Sequence, residues 1–185
     1  MKDEFEKYGF KFIRANEDNI ELIRNWRNSD FIRYKMINQN IITREEQINW
    51  FKNLDKVNNH YYIAQNAESL EYVGVVYLKI LKNNIGEPGS YLIREDLENT
   101  ATSTIIQFAF SDYSFDSLGV DILSPKVNKD NTKAFKLNME ACKLVVEKST
   151  EDIHYFEISK KEYFENKKIN KLKTFLTKKL SYDKR

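Results

Sequence analysis

Residues 86–116 contain the residue types that could bind an anion. A short apolar run, Ser90–Ile93, is followed by a polar turn, Arg94–Asn99, and then by apolar side chains at helical spacing. The first N–H groups of a helix have no partner within the helix, and the helix dipole places partial positive charge at that end. A strand, a turn and a helix in this order predict a site for a phosphate or a similar anion.

The composition predicts one domain spanning residues 1–185. The chain has 185 residues, of which 41% are hydrophobic, and a formal net charge of +2. This is enough apolar surface for one core, and the balanced charge does not require nucleic acid or a membrane as a partner. Cys142 is the single cysteine, which we interpret as a small buried side chain. A single cysteine cannot form an intrachain disulfide, which fits a reducing compartment. Together with the lack of a signal-peptide pattern, this predicts a cytoplasmic protein.

Hydrophobic periodicity predicts strands that alternate with helices. The predicted strands are Phe10–Arg14, Tyr61–Gln65, Tyr72–Leu81, Ser90–Ile93, Val120–Leu123, Lys143–Lys148 and Ile153–Ile158. The predicted helices are one ending at Asn28, then Phe31–Ile37, one after the capping box Thr43–Glu46, one after Asn99, then Asn131–Cys142, and a basic helix over about residues 160–180. This order predicts an α/β fold of the α+β type, with a mixed sheet and helices packed against it.

Four motifs occur in the order and spacing found in the GNAT N-acetyltransferase superfamily. They are Trp26–Asn28 (WRN), Ile42–Phe51 (ITREEQINWF), Tyr72–Val75 (YVGV) and Asn128–Leu137 (NKDNTKAFKL). On these motifs the chain resembles that superfamily, and more narrowly the nucleotide-sugar N-acetyltransferases of the pseudaminic acid pathway and their RimJ/RimL-like relatives. The resemblance implies a central, mostly antiparallel sheet that splays between its fourth and fifth strands, with helices on both faces.

The resemblance also implies a cosubstrate and catalytic residues. Acetyl-CoA would lie between the splayed strands without any metal, its pyrophosphate on the turn before the next helix. Glu87 matches the carboxylate of the family segment E-x-G-x-Y and would be the general base. The residues expected to bind the cosubstrate are Leu92, Ile93, Arg94, Asn99, Thr100, Thr102, Ser103 and Asn131.

Two departures from the family pattern leave a second hypothesis open. The turn lacks both usual glycines, and Asp96 and Glu98 stand close to their positions, where each would repel a pyrophosphate by roughly 1 kcal/mol. Asn138 occupies the catalytic position of a tyrosine that protonates the leaving thiolate, and an amide cannot act as a general acid. The second hypothesis is therefore a catalytically impaired GNAT fold that serves as a binding or assembly module.

Several aromatic and basic side chains have two interpretations. Trp26, Arg27, Trp50 and Tyr91 are predicted to bind substrate, with Arg27 holding a phosphate bidentately, although Trp26 also suits the core. The lysines of the C-terminal helix are interleaved with apolar positions, which favours a solvated face over a nucleic-acid contact. His60 and His154 have no cysteine or histidine at ligand spacing, so no metal site is predicted, and we interpret His154 as a structural histidine.

Taken together, the residues and the resemblance predict transfer of an acetyl group from acetyl-CoA to the primary amine of a small molecule. The first hypothesis for the acceptor is a nucleotide-linked amino sugar. A protein N-terminus is a further hypothesis within the same enzyme class. An exposed late strand leaves a homodimer open as an assembly.

Overall fold

The computed structural model describes residues 2–36 and 38–182, and these residues form one nine-stranded sheet with helices packed on both faces. The strands are β1 (Glu4–Lys7), β2 (Phe10–Arg14), β3 (Asn59–Asn66), β4 (Tyr72–Ile80), β5 (Ile85–Ile93), β6 (Ile122–Leu123), β7 (Lys126–Asn128), β8 (Lys143–Leu144) and β9 (Ile153–Ser159). The helices are α1 (Ile20–Asn28), α2 (Asp30–Arg33), α3 (Arg44–Asn53), α4 (Ala101–Ser117), α5 (Thr132–Ala141), α6 (Lys160–Glu165) and α7 (Lys167–Tyr182).

The sheet separates between its predicted fourth and fifth strands, which are β5 and β6. The strand order is β1-β2-β3-β4-β5-β6-β9-β7, and β8 also pairs with β9. Every neighbouring pair is antiparallel except β5 and β6, which pair in parallel only at Ile85 with Ile122 and Gly86 with Leu123. Residues 87–93 therefore have no strand partner on that side within the described chain. The predicted fold class, with its splayed and mostly antiparallel sheet, is confirmed.

Side chains that alternate between the two faces of the sheet form two separate cores. The larger core lies between the sheet and α4, α6 and α7, and includes Tyr62, Val76 and Leu78. The smaller core lies on the α1 and α2 side and consists of Ile23, Ile32, Ile63, Val75 and Leu92. Full burial of such side chains stabilises the fold by about 1.5–3 kcal/mol each. Both faces of the central strands are therefore covered.

Two irregularities shape the centre of the sheet. At Gly74 a Cβ atom would lie 2.7 Å from the carbonyl oxygen of Leu92, so the absence of a side chain permits the close approach of β5. The register between β4 and β5 shifts between Val75 and Tyr77, so that residues 90 and 91 together oppose Val76. This β-bulge bends β5 next to the place where the sheet opens.

A buried carboxylate joins the C-terminal helices to the sheet. Asp112 in α4 is 2% exposed. It accepts hydrogen bonds from Lys173 Nζ at 2.6 Å, Tyr163 Oη at 2.8 Å and Tyr8 Oη at 2.6 Å. Lys7 Nζ lies 3.2 Å away as well. These four donors compensate the desolvation of one charge, and they connect residues more than a hundred positions apart.

Several element predictions were wrong in extent. β1 was not predicted, because its charged residues show no clear alternation, yet Phe5 stacks on the ring of Tyr113 with centroids 3.7 Å apart. β7 was not predicted either, and of the predicted strand Lys143–Lys148 only Lys143 and Leu144 form a strand, β8. The predicted helix Phe31–Ile37 is α2, which ends at Arg33, and Ile37 lies outside the described residues.

The predicted basic C-terminal helix consists of two helices, α6 and α7. The side chain of Asn166 separates them, because its Oδ1 accepts hydrogen bonds from the N–H groups of Lys168 and Ile169. Such a cap starts a new helix at that point. The capping box at Thr43 and Glu46, in contrast, begins α3 as predicted.

Candidate active site

The candidate site lies along the unpaired edge of β5. At one end Glu87 follows directly after the last β5–β6 pair. At the other end Ile93 leads into the turn before α4. A strand rises about 3.3 Å per residue, so this edge is about 20 Å long. Its backbone N–H and C=O groups can pair with an extended ligand, as the exposed edge of any sheet can.

Glu87 is a partly buried carboxylate at the mouth of this opening. Its side chain is 25% exposed, and its Oε2 lies 2.5 Å from Nζ of Lys126, the first residue of β7. Cross-strand pairing places Glu87 opposite Lys79 and Gly89 opposite Tyr77. These positions face the side of the smaller core, because the intervening Leu78 points into the larger one.

Aromatic side chains cover the sheet beside Glu87. Trp50 meets Tyr61 edge-on with ring centroids 5.1 Å apart, and Tyr61 stacks on Tyr77 with centroids 4.1 Å apart. Trp26 packs against the same smaller core. We call Trp26, Trp50, Tyr61 and Tyr77 the aromatic wall. Trp26 and Trp50, two predicted substrate residues, thus lie on the face that carries Glu87.

Tyr61 and Tyr77 were not predicted as site residues. The hydroxyl of Tyr77 donates a hydrogen bond to Asn59 Oδ1 at 2.6 Å. Burial raises the pKa of Tyr77, and the charge of Glu87 raises it further. The alternation of β3 and β4 was the available signal, since residues two apart share a face. It could not tell which face would carry the site.

Arg27, at the end of α1, carries an incompletely paired charge. Its Nη2 donates to the carbonyl oxygen of Asn38 at 2.5 Å. Its Nη1 is buried and has no hydrogen-bond partner among the residues that the structure describes. Burial alone lowers the pKa of this guanidinium. A buried N–H group without an acceptor is costly, so this arrangement suits an anionic ligand.

The turn between β5 and α4 contains no glycine and is shaped by an asparagine and a threonine. Asn99 has φ +67°, in the left-handed region that glycine and asparagine tolerate best. Thr100 caps α4, because its Oγ1 accepts from the N–H of Ser103 at 3.5 Å. The hydroxyl of Thr100 donates to Leu97, and that of Ser103 donates to the backbone of Thr100. Two of the predicted hydroxyl donors are therefore already engaged.

The first turn of α4 keeps free donors. The N–H groups of Ala101 and Thr102 have no backbone acceptor within the described residues, and no partner is found there for the hydroxyls of Thr102 and Thr104. These groups point from the positive end of a 17-residue helix. The residues present therefore fit a phosphate group, with backbone N–H groups and the Thr102 hydroxyl as its donors.

The carboxylates of this turn are neutralised by cations. Arg94 donates to both oxygens of Asp96, at 2.7 and 2.9 Å, and its Nη1 lies 3.4 Å from Glu71. The hydrogen bond to Asp96 raises the pKa of Arg94. Lys35 Nζ lies 2.7 Å from Glu98 Oε1. The repulsion expected from the two carboxylates is thus offset, while Arg94, the predicted phosphate-binding cation, is already paired.

Three other predicted site residues have side chains engaged within the fold. Tyr91 donates its hydroxyl to the carbonyl oxygen of Ser103 at 2.5 Å and packs against the larger core. Asn131 caps α5 by accepting from the N–H of Ala134 at 3.0 Å. Asn138 donates to the carbonyl oxygen of Ala134 at 2.8 Å. Tyr91 therefore lies on the face opposite the aromatic wall, and Asn138 supplies no acidic proton.

Among the described residues no three His, Cys, Asp or Glu side chains are grouped so that they could hold a metal ion. The ring centroids of His154 and Phe135 lie 4.7 Å apart. Burial raises the pKa of Cys142 to about 12, so its thiol stays protonated at neutral pH. No described helix is both long and apolar enough to span a bilayer.

Comparison with known proteins identifies the family. No family model matches the chain. Acetyltransferase PseH of Campylobacter jejuni is 32% identical to it over an alignment of 131 residues that covers 68% of this chain and 77% of PseH. The chain belongs to the GNAT N-acetyltransferase superfamily. This confirms the resemblance to its nucleotide-sugar members that the four motifs indicated.

Solved GNAT structures share the fold. Apo FdhC, described as a nucleotide-linked sugar GNAT, superposes with a TM-score of 0.75 and 20% identity over 94% of this chain and 98% of FdhC. The dodecameric spermidine N-acetyltransferase of Vibrio cholerae gives a TM-score of 0.66 and 16% identity over 87% of this chain and 99% of that one. The GNAT fold therefore extends over nearly the whole chain.

Proposed function

We propose that this GNAT chain transfers an acetyl group from acetyl-CoA to the primary amine of a nucleotide-linked amino sugar. The observation that carries the choice of acceptor is Arg27, which follows Trp26 of the aromatic wall in α1 and whose buried Nη1 has no hydrogen-bond partner among the described residues. A guanidinium suits the phosphates of a nucleotide, and aromatic rings suit the apolar faces of a sugar or a base. The similarity to PseH and the FdhC fold supports the same acceptor class.

Acetyl-CoA would be held along the open edge of β5 and at the start of α4. The backbone of Leu92 and Ile93 lies on that edge, and the N–H groups of Ala101 and Thr102 would receive the pyrophosphate. Asn99 shapes this turn through its left-handed backbone. When bound, the cosubstrate supplies a thioester carbonyl that an amine can attack.

In the proposed reaction Glu87 handles the proton of the acceptor. The acceptor arrives as an ammonium ion, and the carboxylate of Glu87, or a water next to it, removes one proton. The neutral amine then attacks the thioester carbonyl, a C–N bond forms, and the C–S bond breaks. The departing thiolate takes the second proton of the amine. Asn138 takes no part in this transfer, since its amide is not acidic at neutral pH.

Titration with acetyl-CoA and a turnover assay together test the proposal. Acetyl-CoA at millimolar concentration should release heat on mixing and raise the melting temperature of the protein. Coenzyme A should then be released faster with UDP-glucosamine as the acceptor than with spermidine or an N-terminal peptide. The absence of both heat and a thermal shift would contradict acetyl-CoA binding, and faster turnover of the peptide or of spermidine would contradict the proposed acceptor class.

The binding-module hypothesis remains the alternative, and the pairing of Arg94 with Asp96 and Glu71 supports it. It predicts ligand binding through Trp26 and Arg27 without acetyl transfer to any amine.

A cytoplasmic location, a single domain and a homodimer also remain predictions. The lone cysteine, Cys142, supports the first of these.

A further inference from the structure

Lys126 lies directly on the carboxylate that the proposed reaction uses. Its Nζ is 2.5 Å from Glu87 Oε2, and this is the one ion pair that Glu87 makes with the described residues. The ammonium group also lies 5.4 Å from the ring centroid of Tyr155. Lys126 and Glu87 belong to β7 and β5, so the pair spans the mouth of the opening between β5 and β6.

The acceptor must bring an ammonium group to the same place. This ammonium group must lose a proton before the amine can attack a thioester. In the proposed reaction the carboxylate of Glu87 takes that proton. The oxygen bound by Lys126 Nζ cannot receive a second ammonium in the same direction. A lysine ammonium and a primary ammonium ion also have the same charge and the same three N–H donors.

The structure leaves Lys126 free to move without unfolding β7. Its side chain is 38% exposed, whereas the following residue, Val127, is buried and anchors the strand. The backbone of β7 pairs with β9 through Lys126, Val127 and Asn128 opposite residues 153–155. Rotation of the flexible lysine stem therefore needs no change in the sheet.

We propose that Lys126 is an internal competitor for the amine subsite, holding Glu87 until an acceptor ammonium displaces it. The inference rests on the proposed function. Displacement costs the ion pair, so an acceptor needs additional contacts, which Arg27 and the aromatic wall would provide. A simple amine lacks these contacts and should compete poorly. Lys126 would thus weaken the binding of every acceptor amine by a similar factor, so that only acceptors with these further contacts bind tightly.

Substitution of Lys126 by methionine tests this competition, with Lys126→Arg as the charge-conserving variant and Lys129→Met as the matched control. Lys129 is exposed and follows the same strand, so its loss changes net charge equally. Binding of UDP-glucosamine and of glucosamine is measured by calorimetry without acetyl-CoA, and KM and kcat are measured with it. Lys126→Met should bind both probes about two- to fivefold more tightly, the range expected for one partly exposed ion pair.

The outcomes separate this inference from the proposed function. Tighter binding and a lower acceptor KM in Lys126→Met, with Lys126→Arg and Lys129→Met unchanged, would support competition. An unchanged or weaker affinity would overturn it, as would a fall in kcat at constant KM, which would make Lys126 a positioning residue for Glu87. Calorimetry reports on this without turnover, whereas absence of acetyl transfer by the unaltered protein would contradict only the proposed function.

Discussion

Lys35 Nζ lies 2.7 Å from Glu98 Oε1, and this ion pair joins the segment after α2 to the turn before α4. Arg94 neutralises Asp96 in the same turn. The two carboxylates that would repel a pyrophosphate are thus compensated by cations, one of them 63 positions away in sequence. The positive end of α4 remains as the phosphate-binding element of the proposed site.

Substitution of Thr102 by glutamate should weaken acetyl-CoA binding without loss of stability. A carboxylate at that position would repel the pyrophosphate by about 1 kcal/mol or more, so the Kd should rise about fivefold. The same carboxylate interacts favourably with the α4 dipole, so the melting temperature should not fall. Calorimetry and thermal unfolding measure the two effects. Thr102→Gln is the uncharged control, and an equal Kd in both variants would exclude α4 as the phosphate site.

Substitution of Glu87 by glutamine should lower kcat about 100-fold, since general acid–base catalysis contributes 10²–10⁴ in rate. The matched control is Glu157→Gln, because Glu157 is 27% exposed and also pairs with a lysine, Lys148, at 2.5 Å. Coenzyme A release in steady state measures both variants. Full activity of Glu87→Gln would remove Glu87 from the mechanism, as the binding-module hypothesis expects.

Substitution of Arg27 by methionine should raise the KM for UDP-glucosamine about tenfold or more. This is the loss of affinity expected when a hydrogen bond to a charged group is removed. The KM for unlinked glucosamine should not change, because that amine has no phosphate. Arg44→Met is the control, since Arg44 is an exposed arginine at the start of α3. Equal effects on both acceptors would mean that Arg27 supports the fold or contacts the sugar instead.

Substitution of Asp112 by asparagine should destabilise the protein by about 3–5 kcal/mol, because it leaves the buried ammonium of Lys173 without its counter-ion. Urea unfolding measures the loss. Adding Lys173→Met to the variant should restore part of it, since the unpaired charge is then absent. Asp116→Asn, at a carboxylate 50% exposed, should cost much less. Equal costs at the two positions would contradict a role for burial.

Acidification should destabilise the fold through His60. This histidine is 1% exposed, and burial together with the charge of Arg14 lowers its pKa from 6.5 to about 4. Between these values the unfolded chain binds a proton that the folded protein does not, so stability falls as the pH falls. From pH 7 to pH 5 the loss from this group should be about 2 kcal/mol. Between pH 7 and pH 5 the free energy of unfolding of His60→Leu should fall by about 2 kcal/mol less than that of the unaltered protein. An identical pH dependence of the two proteins would contradict this role of His60.

Local sequence features predicted the elements that depend on near neighbours. The capping box at Thr43 and Glu46 and the start of the helix that follows Asn99 depend on contacts within a few residues, and β3 and β4 pair with each other across one short turn. The four motifs indicated the family because their order reflects the order of the elements. The short strands β6, β7 and β8 were missed or misjudged, since two or three residues carry too little periodicity to recognise.

Side-chain partners were decided only by the tertiary structure. The types of Glu87, Arg27 and the α4 hydroxyl residues were visible in sequence, and so was the missing glycine turn. Their availability was not, because it depends on groups that folding brings together across the sheet. Lys126 reaches Glu87, and Lys35 compensates Glu98. Sequence alone determined which groups could do chemistry, whereas the through-space partners determined which are already paired and which can still meet a ligand.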